Sequence, residues 1–258
     1  MVGLGRRGLR NALAPRLVEL ELAFPTLPAA FEGYRILHLT DTHLDGLPEL
    51  ASVAARMLDG VAVDMLALTG DILADPRASP ERAMAPLAEI LAGVTVREWR
   101  LAVLGNHDPM PMADALEAVG FEVLLNRSVT VERRGERIGI TGLDDVHYFY
   151  TDAAREALRG DGATFRIALV HSAEMADHAR AAGIAFYLCG HTHGGQICLR
   201  SGRPLVTKLR RCRHGASGLW RDGAILGYTS RGLGISGRRM RFNCPGEMTL
   251  VTLRRGPG

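Results

Sequence analysis

Aspartate, asparagine and histidine side chains occur five times directly after a short apolar run of the sequence. The segments are Asp41-Thr42-His43, Gly70-Asp71, Gly105-Asn106-His107-Asp108, His171 and Gly190-His191-Thr192-His193. Carboxylate, amide oxygen and imidazole together, without thiolate, suit Mn²⁺, Fe or Zn²⁺ better than Ca²⁺ or an iron–sulfur cluster. The segments lie too far apart along the chain for local ligation, so a metal site requires the fold to bring them together.

Seven side chains of these segments are candidate metal ligands. They are Asp41, His43, Asp71, Asn106, His171, His191 and His193. Seven protein ligands are more than one ion needs, whereas two ions that share a bridging carboxylate use all of them. Two-metal centres, with ions about 3.5–4 Å apart, hydrolyse phosphate esters by holding both the attacking and the leaving oxygen. The ligand set therefore indicates hydrolysis of a phosphate ester.

The elements that must position these ligands are buried strands. The runs Arg35–Thr40, Met65–Thr69 and Arg100–Leu104 alternate with helical patterns, which predicts βαβ units and a parallel sheet. Beyond Glu122 the strands become shorter and are joined by tight turns, one of them at Asn126-Arg127. We therefore expect one α/β domain with two mixed sheets. Ligands of open α/β sheets collect beyond the carboxyl ends of the strands, where all five segments fall.

The five segments resemble, in order, the motifs of the calcineurin-like metallophosphoesterase family: D-x-H, G-D, G-N-H-D, a later histidine and G-H-x-H. The resemblance covers residues 34–253. The extension Gly190–Ile197 (GHTHGGQI), with Ser230–Gly234 and Arg241–Pro245, resembles one bacterial branch of phosphodiesterases. That branch includes twin-arginine-exported phosphodiesterases and enzymes that cleave the lipid A precursor UDP-2,3-diacylglucosamine. Where many relatives have a proline soon after the lone histidine, this chain has His171-Ser172-Ala173-Glu174.

The resemblance implies a fold and a role for each ligand. The implied fold is a four-layer α/β/β/α sandwich of two mixed sheets flanked by helices. One ion would be held by Asp41, His43, Asp71 and His193, and the second by Asp71 as the bridge, Asn106, His171 and His191. His107 would face the phosphate as an acid or charge stabiliser, oriented by Asp108. A bridging water acidified by two cations would be the nucleophile.

Composition places the chain among ordinary globular proteins. It has 258 residues, 47% hydrophobic and 23% charged, with a net charge of +3. Of its 31 basic residues only Lys208 is a lysine. This imbalance is too small to indicate nucleic-acid binding, and we expect no stable nucleic-acid partner. The four scattered cysteines favour free thiols in a reducing compartment over a disulfide framework.

We expect residues 1–30 to form a basic N-terminal arm and leading segment, and residues 31–258 to form the metallophosphoesterase domain. The start Gly5–Arg10 is similar to a twin-arginine signal, which needs an uninterrupted apolar core of about 7–15 residues. Pro15, Arg16 and Glu19 interrupt that core here. No apolar stretch is long enough to span a bilayer. The expected location is cytoplasmic, with peripheral contact at the inner membrane surface through the basic arm as an option.

Two further stretches allow a functional and a purely structural interpretation. Asp144-Asp145 and His147–Tyr150 either cover the site, against a nucleobase or an acyl chain, or form a packed turn. A basic run either binds phosphate or anionic lipid or is simply solvated: Arg200, Arg203, Lys208, Arg210, Arg211 and Arg213. His38, inside an apolar strand, is interpreted as structural, and Gly232 and Gly234 either approach the metals or form turns.

We therefore predict a metal-dependent phosphoesterase that hydrolyses a phosphodiester or pyrophosphate bond through a dinuclear metal-bound hydroxide. Mn²⁺ is the expected cofactor, with Fe and Zn²⁺ as alternatives. The substrate is expected to be a small-molecule or lipid-linked phosphoester. An alternative is a UDP-2,3-diacylglucosamine pyrophosphatase of lipid A synthesis at the membrane surface. An alternative of another class, a non-catalytic scaffold on the same fold, is disfavoured because His107 and every ligand are present.

Overall fold

A computed structural model of the chain describes residues 2–145, 151–160 and 162–257. The α-helices are α1 (Val2–Ala12), α2 (Glu49–Leu58), α3 (Glu81–Leu91), α4 (Pro111–Glu117), α5 (Asp152–Arg159) and α6 (Ala176–Ala181). The strands are β1 (Arg16–Phe24), β2 (Arg35–Leu39), β3 (Ala62–Thr69), β4 (Thr95–Val103), β5 (Glu122–Val123), β6 (Arg127–Arg133), β7 (Glu136–Gly142), β8 (Arg166–Leu169), β9 (Phe186–Cys189), β10 (Gly218–Asp222), β11 (Ile225–Thr229) and β12 (Glu247–Arg255).

The strands form two six-stranded sheets, with the orders β1-β12-β2-β3-β4-β5 and β10-β11-β9-β8-β7-β6. In the first sheet β12 runs antiparallel to β2, and the other pairs are parallel. In the second sheet β10–β11 and β6–β7 are antiparallel, and the remaining pairs are parallel. Both sheets are therefore mixed, as predicted.

Three apolar clusters separate four layers. Because side chains alternate between the faces of a strand, Leu37 of β2 packs with Leu50 of α2 on one side of the first sheet. Ile36, the preceding residue, faces the other way and packs with Ile140 of β7 between the sheets. A third cluster joins the outer face of the second sheet to α5 and α6. The predicted four-layer α/β/β/α sandwich is confirmed.

The parallel arrangement brings the ligand segments to one edge of the sandwich. Strands β2, β3 and β4 are adjacent and parallel in the first sheet, and β8 and β9 are adjacent and parallel in the second. Each of the five ligand segments follows the carboxyl end of one of these strands. Segments far apart in sequence therefore meet because their strands lie side by side.

Two elements before residue 31 pack against the first sheet. Strand β1 pairs with β12 along its whole length, from Arg16 opposite Glu247 to Phe24 opposite Arg255. Helix α1 also contacts the domain, since Ala12 is buried in the first apolar cluster. The charged residues that break a signal-peptide core alternate with apolar ones, and this period of two is the pattern of a half-exposed edge strand.

Other details differ from the sequence-based expectations. The strands on either side of Asn126-Arg127 do not form a hairpin, because β5 belongs to the first sheet and β6 to the second. Strand β10 was not predicted. The aromatic stretch His147–Tyr150 lies outside the described residues. No helix in the described part of the chain combines the length and the apolar character that crossing a bilayer requires.

Candidate dinuclear metal centre

Five of the seven expected ligands have a left-handed backbone. The φ angles are +47° for Asp41, +42° for His43, +55° for Asp71, +69° for His191 and +52° for His193. Residues other than glycine seldom adopt this conformation, and it concentrates at functional sites where the surrounding structure enforces it. The ligand loops are therefore held in shapes that the side chains themselves disfavour.

The first group of ligands contains Asp41, His43 and His193. Nε2 of His43 lies 3.1 Å from Nε2 of His193, which in turn lies 3.3 Å from Oδ1 of Asp41. The three ligating atoms lie within 4.8 Å of one another. Two imidazole nitrogens and one carboxylate oxygen at this spacing surround a point that one metal ion can occupy.

The second group contains Asp71, His171 and His191, again with ligating atoms within 4.8 Å of one another. Nε2 of His171 lies 3.4 Å from Oδ2 of Asp71 and 3.2 Å from Nδ1 of His191. The same Asp71 oxygen lies 3.7 Å from Nε2 of His43 in the first group. The Asp71 carboxylate therefore lies close to a histidine of each group.

Backbone carbonyl groups orient two of the imidazoles. Nδ1 of His43 lies 2.6 Å from the carbonyl oxygen of Leu73, and Nδ1 of His171 lies 2.8 Å from that of Thr69. A carbonyl oxygen only accepts hydrogen bonds, so each Nδ1 carries a proton and each Nε2 is the ring atom that faces the site and can ligate a metal once it is deprotonated. This pattern is the usual support of metal-binding histidines.

The donor set fits a pair of cations. Oδ1 of Asp41 and Oδ1 of Asn106 are buried and accept no hydrogen bond from the described residues. A buried oxygen left in this way is costly unless a cation or another partner satisfies it. Asn106 lines the same cavity as Asp71 and His191. Asn106 therefore lies at the same cavity as the two groups, and as an amide it adds no negative charge.

Electrostatics differ between the two ligand groups. Burial raises the pKa of the Asp41 carboxyl to about 6 and lowers that of His43 to about 4. Burial also opposes ionisation of Asp71, but the facing His171 holds the Asp71 pKa below its ordinary range. Burial likewise opposes protonation of His171, yet the Asp71 carboxylate raises its pKa to about 10. A carboxylate that so strongly favours a neighbouring positive charge suits a divalent ion, which replaces the proton on binding.

His107 lies beside the two groups, but Asp108 does not orient it as expected. The backbone N–H of His107 donates to Oδ1 of Asp71 at 2.8 Å, and its ring Nδ1 lies 2.6 Å from the carbonyl oxygen of Ala74. The Asp108 carboxylate instead accepts three backbone N–H groups, those of Ile72, Leu73 and Gly105. Burial, then the charge of Asp71, raises the pKa of Asp108 to about 7. Asp108 thus joins two ligand loops, and Ala74 holds the His107 ring.

Glycines allow the loops to approach the ligands. A side chain at Gly190 would collide with the Asp41 carboxylate, and one at Gly105 with Asp71. A Cβ at Gly232 would lie 2.6 Å from that of Asp41, and one at Gly234 would collide with Thr42. Of the two interpretations of the later glycines, the structure therefore supports close approach to the metal-ligand loop.

A cavity of about 310 Å³ opens over the site. Its polar side contains Asp71, Asn106, His107, His191 and His193. Another part of the lining comes from a hairpin in which the backbones of Cys198 and Pro204 pair as an antiparallel β-bridge. We call this part of the lining the wall; it includes Gln196, Ile197, Leu205, Val206 and Lys208. The sequence analysis singled out Gln196 and Ile197 in a motif and Lys208 in the basic run, but it missed Leu205 and Val206. The signal in the sequence was the presence of two adjacent apolar residues inside that basic run, and in the structure they are 60% and 65% exposed.

The remaining basic and histidine residues divide between surface and core. Arg200 and Arg203 are exposed at the hairpin tip, while Arg211 forms an ion pair with Asp177. His38 is fully buried, and its Nε2 lies 2.7 Å from the hydroxyl of Thr69. This contact agrees with a structural role for His38.

A sequence profile of the calcineurin-like phosphoesterase family matches residues 34–195. The uncharacterized metallophosphoesterase YkuE of Bacillus subtilis is 29% identical over 97% of this chain and 90% of its own length. Phosphodiesterase YaeI of Escherichia coli is 26% identical over 92% of this chain and 87% of its own. Among solved structures, the sulfate thiohydrolase SoxB of Thermus thermophilus in complex with glycerol aligns with a TM-score of 0.48 and 13% identity, covering 88% of this chain and 57% of that one. The profile spans more than half of the sequence, and the chain belongs to the calcineurin-like phosphoesterase family.

Proposed function

We propose that this protein is a two-metal phosphodiesterase that hydrolyses a phosphodiester or pyrophosphate bond. The observation that carries the proposal is the position of Asp71, whose Oδ2 lies 3.7 Å from Nε2 of His43 and 3.4 Å from Nε2 of His171. One carboxylate between two imidazole groups is the core of a dinuclear hydrolytic site. Similarity to YaeI, which is named a phosphodiesterase, supports the same reaction class.

In this proposal the ligands divide between the two ions as the family resemblance implies. Asp41, His43 and His193 would hold one ion, His171, His191 and Asn106 the other, and Asp71 both. Two divalent ions, when bound, supply Lewis acidity at the phosphoryl oxygens and lower the pKa of a water. Ligands of this type suit Mn²⁺, and Fe or Zn²⁺ are the alternatives. Elemental analysis of protein purified without added metal distinguishes the three, and two equivalents per chain are expected.

His107 is the residue that we assign to proton transfer or charge stabilisation. Its Nδ1 donates to the carbonyl oxygen of Ala74 at 2.6 Å, so Nε2 is the ring atom that remains available for a hydrogen bond or proton transfer to a substrate. The residue lines the cavity beside Asp71 and Asn106. In this position the imidazole can donate a hydrogen bond to the phosphate or a proton to the leaving oxygen. The role that we assign to Asp108 is to join the loops after β3 and β4.

The apolar wall favours a diester over a monoester. Ile197, Leu205 and Val206 line the same cavity as the candidate metal ligands. A phosphomonoester would leave this surface in water, whereas the second substituent of a diester can pack against it. Lys208, also in the cavity lining, supplies a cation for a substrate phosphate.

The test is hydrolysis of bis(p-nitrophenyl) phosphate and of p-nitrophenyl phosphate by metal-free protein reloaded with Mn²⁺, Fe²⁺ or Zn²⁺. We expect metal-dependent release of nitrophenolate and a higher kcat/KM for the diester. Asp71→Asn should abolish the activity, whereas Asp177→Asn, in a surface ion pair with Arg211, is the control that should retain it. Equal activity of the two variants, or no dependence on metal, would exclude the proposal.

A second candidate substrate is a nucleotide–lipid pyrophosphate such as UDP-2,3-diacylglucosamine, cleaved at a membrane surface. The observation that favours it is the exposed apolar surface of the wall hairpin, where Leu199 is 49% exposed beside the exposed Arg200 and Arg203. Apolar residues flanked by arginines suit an anionic lipid surface.

The lipid candidate is tested with UDP-2,3-diacylglucosamine in vesicles that contain phosphatidylglycerol. Leu199→Glu should slow turnover of this lipid and weaken sedimentation with the vesicles, while turnover of the soluble diester stays unchanged. Leu219→Glu is the matched control, because Leu219 is similarly exposed, 48%, on the edge strand β10. Turnover of the soluble diester without turnover of the lipid would exclude this candidate and leave the phosphodiesterase proposal intact.

A further inference from the structure

Arg241 is a guanidinium with 0% exposure near the first ligand group. Among the residues that the structure describes, no carboxylate lies within ion-pair distance of it. Burying a cation without a counter-ion is costly unless all of its N–H groups are satisfied. A second cost arises because this cation lies beside a site that itself should hold cations. The position of Arg241 therefore needs an explanation other than charge pairing.

The N–H groups of Arg241 are satisfied by main-chain carbonyl oxygens. Nε donates to Gly234 at 3.0 Å, and Nη2 donates to Gly234 at 2.6 Å and to Gly232 at 3.0 Å. Further bonds go to the carbonyls of Arg231 at 2.8 Å, His193 at 3.3 Å and Cys244 at 3.3 Å. One rigid, planar fork thus connects the loop 231–234 to the segment that carries His193.

The loop 231–234 in turn holds Asp41. The backbone N–H of Gly234 donates to the carbonyl of Asp41 at 2.8 Å, and that of Leu233 donates to Thr40 at 3.1 Å. Gly232 also lies against the Asp41 side chain, because a Cβ there would come within 2.6 Å of that of Asp41. Arg241 therefore connects the two segments whose ligating atoms, Oδ1 of Asp41 and Nε2 of His193, lie 3.3 Å apart.

The second ligand group has different supports. His171 is oriented by the carbonyl of Thr69 at 2.8 Å. Asp71 accepts the backbone N–H of His107 at 2.8 Å. The Asp108 carboxylate links the loops that follow Asp71 and precede Asn106. The two halves meet where the backbone N–H of His191 donates to Oδ2 of Asp41 at 2.8 Å. Among the described residues, however, the bonds of Arg241 itself reach His193 and the loop 231–234 and no ligand of the second group.

We propose that Arg241 is a positioning residue for one of the two ion sites: it fixes the Asp41–His193 pair, and its loss weakens binding of that ion selectively. The inference rests on the proposed two-ion centre. Lysine cannot replace arginine here, because a single ammonium does not span carbonyl groups on several segments in a fixed plane. Supporting residues of this kind typically change metal affinity by about 10–100-fold.

The experiment is calorimetric titration of Mn²⁺ into metal-free wild-type protein, Arg241→Lys and Arg241→Gln. We expect two ions in the wild type. In both variants one ion should bind with unchanged affinity and the other at least about tenfold more weakly. Electron paramagnetic resonance is recorded with one equivalent of Mn²⁺ more than the tight site binds. It should show exchange-coupled Mn²⁺ pairs in the wild type and isolated ions in the variants.

Arg166→Lys is the matched control. Arg166 is also buried, at 5% exposure, and donates to the carbonyls of Ala182 and Leu158. It stands at the amino end of β8, whereas His171 follows the carboxyl end. A general effect of removing a buried guanidinium would appear in this variant too, so the selective loss should be confined to position 241.

Two results would overturn the inference: both ions weakened equally in the Arg241 variants, or both bound as in the wild type. If neither variant folds, hydrogen exchange of the wild type decides. The ion held by the first ligand group should then slow hydrogen exchange at the amides of 231–234 more than at those of 104–106. Equal protection of the two segments would refute the role of Arg241. Wild-type protein that binds two ions but hydrolyses no diester would refute the proposed function and not this inference.

Discussion

The Asp71 carboxylate accepts the backbone N–H of His107 at 2.8 Å through Oδ1, while its Oδ2 faces imidazoles of both ligand groups. This bond fixes the plane of the carboxylate and places the His107 loop beside the shared ligand. One interaction therefore sets the position of Asp71 and that of His107, the residue that we propose as an acid or charge stabiliser. Substitution of Asp71 should nevertheless remove bound metal, whereas substitution of His107 should remove catalysis and leave the metal bound.

Replacing the shared carboxylate should remove the metal pair. Asp71→Asn retains the shape but loses the negative charge that faces both groups, so we expect fewer than two ions per chain. Hydrolysis of the diester should fall by more than about a hundredfold, since even supporting residues of metal sites cost 10–100-fold. Metal content by elemental analysis and kcat on the same samples provide the measurement. Full metal content in this variant would contradict the bridging role.

His107→Gln should remove catalysis without removing metal. A positioned proton donor contributes about 10²–10⁴-fold, so kcat should fall within that range while two ions remain bound. His178→Gln, on the short helix α6, is the control and should leave kcat unchanged. A loss of metal in parallel with the loss of kcat would instead make His107 a ligand.

Asp108→Asn separates the two roles considered for Asp108. The substitution places an NH₂ group against a backbone N–H that the carboxylate now accepts, and an unsatisfied buried donor costs about 1–3 kcal/mol. We expect this loss in the free energy of unfolding, measured with urea, and an unchanged pH dependence of kcat. Asp75→Asn, in an exposed ion pair with Arg77, should have little effect on stability. A shifted pH profile would restore a direct role beside His107.

Gly105→Ala should disturb the shared ligand through its shape alone. The added methyl group would collide with the Asp71 carboxylate and come within 2.9 Å of Cε1 of His171. We expect metal affinity to fall by at least about tenfold, as measured by calorimetry. Gly5→Ala is the control, because no atom lies within 4 Å of a Cβ at that position. Equal metal affinity in both variants would mean that the loop containing Gly105 shifts to accommodate the methyl group without disturbing the site.

Removing the ions should destabilise the protein. Ligands that bind only the folded state stabilise it by about 2.7 kcal/mol at a hundredfold excess over Kd. For a chain of this size that corresponds to a Tm lower by ~5–10 °C after chelation. Differential scanning calorimetry before and after treatment with EDTA measures the change, and added Mn²⁺ should reverse it. An unchanged Tm would show that the ions contribute nothing to the folded state.

Local patterns in the sequence predicted the parts of this protein that depend on short segments. The apolar runs before Asp41, Asp71 and Asn106 indicated strands, because a buried strand needs only a few consecutive residues. Side-chain chemistry indicated the metal class, because oxygen and nitrogen ligands without thiolate limit the ions that can bind. The order of the motifs then led to the family, which the sequence profile confirmed.

Interactions between distant segments decided the rest. Residues 16–24 belong to the domain because they pair with 247–255, and no local pattern specifies a partner more than two hundred residues away. The support of the Asp41–His193 pair by Arg241, and that of His107 by Ala74, likewise depend on how loops meet in space. The sequence alone determined the class of fold and the set of candidate ligands. Only the tertiary structure decided what holds each ligand, because those contacts form after the sheets have brought the loops together.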